Sequence, residues 1–116
     1  MEFHEIFKKT KPEPVSYGTA GYRTEHTIIK DIVRRAYLFC LIRSASVNRP
    51  VGLVLTASHN PSCDNGIKYI DFTGNMLSEE NEELSDRIVN GSIESLLEEY
   101  KPYANKKSTV VISRDT

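Results

Sequence analysis

The run VGLVLTASHNPSCDNGIKYID, Val51 to Asp71, reads as strand, loop, strand. VGLVLT, Val51 to Thr56, is short and almost wholly apolar, the pattern of a strand buried on both faces. GIKYID, Gly66 to Asp71, alternates and predicts a second strand. Asp64-Asn65-Gly66 is turn chemistry that tolerates positive φ. A loop that only joins two strands needs no such grouping as Ser58, His59, Asn60 and Lys68.

Working toward the N-terminus, residues 25–46 predict the clearest helix. Ile28, Ile29, Ile32, Val33, Ala36, Phe39 and Cys40 recur at spacings of three and four, with Lys30, Asp31, Arg34 and Arg35 between them. Thr24 is the expected N-cap. In VSYGTAGYRT, Val15 and Tyr17 suggest a short strand, and Gly18 and Gly21 mark a tight turn. Residues 1–14 are expected to form a short amphipathic helix and a linker, stopped by Pro12 and Pro14.

Toward the C-terminus, residues 72–75 form a turn. Ser78 opens a helix through Val89, Asn90-Gly91 ends it, and Ser92 caps another through Tyr100. A last strand is expected over Thr109 to Ser113. Alternating strands and helices imply an α/β layer structure. The sheet meets the end of the sequence at TVVISRDT, so the chain is expected to be a piece of something longer.

The 116 residues fit one domain, and 15 Lys and Arg balance 16 Asp and Glu. No global charge draws the chain to nucleic acid or a membrane, so any anion recognition is local. No apolar run approaches the roughly 18 residues of a membrane span, and Met1 opens a polar segment without a secretory h-region. Cys40 and Cys63 match no metal-site spacing and make no disulfide framework; a reduced, cytoplasmic chain is the simpler reading. The acids Glu79, Glu80, Glu82 and Glu83 read as a solvated helix face rather than a metal site.

Ser58 follows directly on a buried strand, where open α/β sheets present reactive groups. A serine hydroxyl is a poor nucleophile unless activated or already carrying the group to be transferred. The G-x-S-x-G elbow is absent, and His59, adjacent in sequence, is badly placed to take that serine's proton. The cations His59 and Lys68 suit a phosphate on Ser58. Gly18-Thr19-Ala20-Gly21 followed by Arg23 offers further backbone donors and a guanidinium. Neither Walker A nor G-x-G-x-x-G is present.

T-A-S-H-N-P, then N-G-x-K, preceded by G-T-A-G-x-R, resembles the α-D-phosphohexomutase superfamily. In most of that superfamily the strand ending in G-R-D-x-R precedes the serine loop. Here the similar VVISRDT follows it, the order of the branch that acts on N-acetylglucosamine phosphates. The resemblance runs from about Val15 to the end and covers the family's first domain only.

The resemblance implies a three-layer α/β/α domain with a mixed sheet, the first of four, spanning residues 1–116 and cut short at its C-terminus. It implies a mutase that interconverts the 6- and 1-phosphates of N-acetylglucosamine through a phosphoserine and a 1,6-bisphosphate, toward UDP-N-acetylglucosamine. Ser58 would carry the phosphoryl group and contribute one ligand to Mg²⁺. His59 and Lys68 would assist proton transfer and stabilise charge. Arg23, Asn60 and Arg114 would bind phosphate or order the site. The implied partners are the hexosamine phosphate and the remaining domains of the same polypeptide, without which this stretch would not turn over substrate. Ser113 departs from the family's usual glycine. A glucose or mannose phosphomutase, or a non-catalytic module binding sugar phosphate or a protein, are the alternatives. Taken singly, Ser58 is a turn cap, Lys68 the wet side of a strand, Arg23 a surface arginine and Arg114 a structural ion pair. The motifs in order are what favour function.

Overall fold

The computed structural model describes residues 3–8, 14–17, 21–24, 26–56 and 65–115. In chain order the elements are α1 (Phe3–Phe7), β1 (Tyr22–Thr24), α2 (His26–Val47), β2 (Val51–Thr56), β3 (Asn65–Ile70), α3 (Glu79–Asn90), α4 (Ile93–Tyr100), a 3₁₀ turn (Lys101–Tyr103) and β4 (Val110–Asp115). The strands form one mixed sheet in the order β1-β3-β2-β4. β3 runs antiparallel to both β1 and β2, and β4 runs parallel to β2.

The period of two puts Tyr22, Val51, Leu53, Ile67 and Tyr69 on one face, all buried. α2 lies against that face, and Phe39 packs on Tyr69 with ring centroids 4.8 Å apart. The other described helices pack around α2 on this same side. α2 is therefore enclosed on more of its surface than a surface helix. Its Asp31 and Arg35, which lie between the apolar positions in the sequence, are buried at 7% and 2% exposure. The expectation that β2 is buried on both faces is corrected likewise. Val51 and Leu53 are buried, but Gly52, Val54 and Thr56 are half-buried because they face away from the described helices, and Leu55, on the helix-bearing face, is half-buried near the end of the strand.

Two local expectations also change. Val15 and Tyr17 form no strand. The Asn90 side chain holds both the N–H and C=O of Val15, and Asp86 accepts from the Tyr17 N–H, so side chains replace a ladder. Thr24 ends β1 instead of capping α2, which starts at His26. The caps at Ser78 and Ser92 are as expected, accepting from the amides of Asn81 and Ser95. α3 turns Glu79, Glu80 and Glu83 to solvent. Among the described residues no helix is long and apolar enough to cross a membrane.

Candidate functional site

Strand register brings the motif segments together at one end of the sheet. Arg23 lies opposite Gly66, Gly66 opposite Thr56, and Thr56 opposite Asp115. With neighbouring strands about 4.8 Å apart, this row spans roughly 15 Å. The serine loop leaves β2 directly after Thr56 and re-enters the sheet at Asn65, so its ends are anchored on the Thr56–Gly66 pair. Ser58, His59, Asn60 and Cys63 lie outside the described residues. So do Gly18, Thr19 and Ala20.

Two glycines are demanded by contact. Gly21 has φ +91°, and a β-carbon there would lie 2.3 Å from the Ile67 carbonyl oxygen and 2.7 Å from Lys68 Cγ. The Gly21 backbone, in G-T-A-G-x-R, thus rests on the lysine of N-G-x-K. A β-carbon at Gly66 would lie 2.4 Å from Thr56 Oγ1, so its absence makes room for that hydroxyl.

Lys68 is exposed on the sheet face away from the helices, opposite Val54. Arg114 is also exposed, but its register with Leu55 puts it on the helix-bearing face. The sheet therefore brings Gly21, Arg23, Thr56, Gly66 and Lys68 to one corner, whereas Arg114 reaches the same end from the opposite face. Among the described residues no three His, Cys, Asp or Glu side chains gather as a metal site.

Behind this corner lies a polar cluster that motif reading did not reveal. The Tyr22 hydroxyl donates to Asp86 Oδ1 at 2.7 Å and lies 2.7 Å from Ser85 Oγ, which is 2.8 Å from the Tyr69 hydroxyl. Since the single Tyr22 proton goes to Asp86, Ser85 donates to Tyr22 and Tyr69 donates to Ser85. Tyr17 donates its N–H to the same Asp86 oxygen at 3.0 Å, and its hydroxyl accepts from the Tyr69 N–H at 3.1 Å. The Tyr17 and Tyr69 rings stack, with centroids 5.2 Å apart. Burial holds the phenols of Tyr17, Tyr22 and Tyr69 above the usual tyrosine range, so they remain donors. Burial likewise raises the free Cys40 thiol, an inert core group as expected.

A family profile for phosphoglucomutase/phosphomannomutase, α/β/α domain I, matches residues 37–96, just over half of the chain. The chain belongs to that domain family. It is similar to a probable phosphoacetylglucosamine mutase of Encephalitozoon cuniculi, at 42% identity over 93% of this chain and 23% of that protein. In three dimensions it resembles Aspergillus fumigatus N-acetylphosphoglucosamine mutase in two solved complexes. One, a serine-to-alanine variant with glucose 1,6-bisphosphate, superposes with a TM-score of 0.80 at 28% identity, over 97% of this chain and 22% of that one. The other, with GlcNAc-6P and magnesium, superposes with a TM-score of 0.75 at 29% identity, over the same shares of the two chains. The chain spans about a fifth to a quarter of the length of the relatives it matches. The mixed α/β architecture expected from the motifs is thus that of a phosphohexomutase first domain, of which the described residues supply the sheet and one helical layer.

Proposed function

We propose that this chain is the first domain of a phosphoacetylglucosamine mutase, with Ser58 as its phosphoryl carrier. One observation carries the reading: strand register brings Arg23, the last residue of G-T-A-G-x-R, together with N-G-x-K and with Thr56 and Asn65, the ends of the loop that contains Ser58, at a single corner. Phosphoryl transfer depends chiefly on positioning and charge neutralisation, and this reading gives Arg23 and Lys68 the neutralising charge for a phosphate on Ser58. The phosphoryl group leaves the Ser58 oxygen for a sugar hydroxyl as the P–O bond to serine breaks. The hydroxyl's proton is taken up with help from His59 or Lys68. The resulting 1,6-bisphosphate then returns its other phosphate to Ser58 by the reverse step. Arg23 and Lys68 neutralise the phosphate, Asn60 shapes the loop, and Arg114 orders the rim.

Mg²⁺ accompanies substrate in the Aspergillus relative. Here Ser58 is one candidate ligand, and the described residues hold no acidic cluster to complete an octahedral shell. The remaining ligands belong to other domains of the polypeptide, and residues 1–116 alone are inactive. The setting is cytoplasmic.

The test uses the polypeptide at its native length. Intact mass and peptide mapping should find phosphate on Ser58. Ser58→Ala should reduce conversion of N-acetylglucosamine 6-phosphate to background while leaving the fold intact. Undiminished turnover by Ser58→Ala would overturn the role of Ser58. Turnover of glucose phosphate but not its N-acetylamino analogue would overturn the sugar assignment.

A further inference from the structure

Nothing in the motif pattern assigns a role to α3, yet Ser85 and Asp86 on that helix hold the sequence neighbours of Arg23 and Lys68. Tyr22 lies between Gly21 and Arg23, and Tyr69 is next to Lys68. One carboxyl oxygen, Asp86 Oδ1, accepts both the Tyr22 hydroxyl at 2.7 Å and the Tyr17 N–H at 3.0 Å. Tyr17 in turn receives the Tyr69 N–H, and Tyr69 closes the ring through Ser85. Tyr22, Tyr69 and Ser85 are almost completely buried, so water does not compete for the two hydroxyl bonds through Ser85, whereas Asp86 and Tyr17 are half-buried. The ring fixes the start of β1 against β3, where Gly21 rests on Lys68 Cγ without room for a methyl group.

From this geometry we infer that Asp86 is a positioning residue for the phosphate-binding corner, setting the placement of β1, and with it Arg23, relative to Lys68. The inference rests on the proposed mutase reading and deepens it. Asp86 touches no substrate; it acts through Tyr17 and Tyr22. Its removal leaves α3 free to stay folded on its apolar side, where Ile88 and Val89 are buried in the core.

The experiment compares Asp86→Ala and Tyr22→Phe with Ile88→Val and Ile88→Ala in the native-length polypeptide. The Ile88 variants weaken the same helix without touching the ring. At a temperature where every variant is folded, kcat/KM should fall about 10- to 100-fold in Asp86→Ala and Tyr22→Phe, the scale of a small misplacement of reacting groups. Ile88 variants with an equal loss in Tm should retain wild-type kcat/KM. Asp86→Asn, which keeps an acceptor oxygen for both donors, should recover most of the loss.

Backbone amide shifts of Gly21, Arg23 and Lys68 provide a second readout, independent of turnover. They should move in Asp86→Ala and stay in place in the Ile88 variants. Activity that simply follows Tm across both sets, an Asp86→Asn as impaired as Asp86→Ala, or unmoved amides would each overturn the positioning role. A wild-type polypeptide without mutase turnover would instead sink the functional reading, and the amide shifts would still decide on the ring.

Discussion

Asp71, the residue after β3, is gripped from two directions. Its backbone N–H donates to the Asn75 carbonyl, and its carbonyl accepts from Gly74, which closes the turn that follows the strand. Its carboxylate accepts two parallel bonds from Arg43 of α2, each 2.9 Å long. Those bonds hold the Asp71 carboxyl below its ordinary pKa, against the opposing effect of burial. A depressed folded-state pKa gives stability that is present above the unfolded pKa of about 3.9 and lost as pH falls through the folded value. Arg43→Ala should therefore cost about 2 kcal/mol at pH 6.5. The cost should shrink below pH 4, leaving about 0.5 kcal/mol for the loss of the guanidinium over Phe72, 5.4 Å from that ring. Denaturant titrations of both proteins at the two pH values check this; an equal difference at both would refute it.

At the scale of elements, Arg35 is the residue whose role depends most on tertiary context. It sits on α2 at 2% exposure and sends its Nε to the Phe7 carbonyl at 2.8 Å. Its Nη1 reaches the carbonyls of Ile88, Val89 and Gly91. The carbonyls of Ile88 and Val89 belong to the last turn of α3, which has no intrahelical donors for them, so Arg35 caps α3 from outside while tying down the end of α1. Burial lowers the Arg35 pKa, partly offset by Asp31. Arg35→Met keeps the aliphatic volume but strands those acceptors, and should cost about 3 kcal/mol. Hydrogen exchange should accelerate in α1 and the last turn of α3 together. Protection lost in one helix alone would show that Arg35 does not couple them.

Such a role also marks where sequence reading stops. α2, both serine-capped helices and the strands on either side of the serine loop were legible, because periodicity and caps are local. Gly21 was legible as a turn glycine, though not its contact with Lys68. Arg35, Asp86 and the Arg43–Asp71 pair were not, since their partners lie 28 or more residues away and are set by packing. Thr24 was misjudged as a cap because its pairing in β1, opposite Asn65, depends on a strand 41 residues away.

For the molecule as a whole, the sheet face away from the described helices has its own consequence. Ile70 and Val111 stand on that face on either side of Gly52, 42% and 57% exposed, with Val54 in the next row. β4 is an edge strand, with one side of its backbone unpaired among the described residues. An apolar face beside an open edge favours strand-to-strand association between copies, against which edge lysines are a common protection. Residues 1–116 prepared alone should therefore sediment as a concentration-dependent mixture and bind a hydrophobic dye. Val111→Lys should shift the mixture toward monomer and reduce dye binding, with no loss of helical signal, because Val111 contributes little to the core. The Lys side chain places a charge beside Gly52 and Ile70 while leaving the β2–β4 backbone pairing intact. A sharp, concentration-independent melt with monomeric sedimentation over a hundredfold concentration range would show that this face needs no partner.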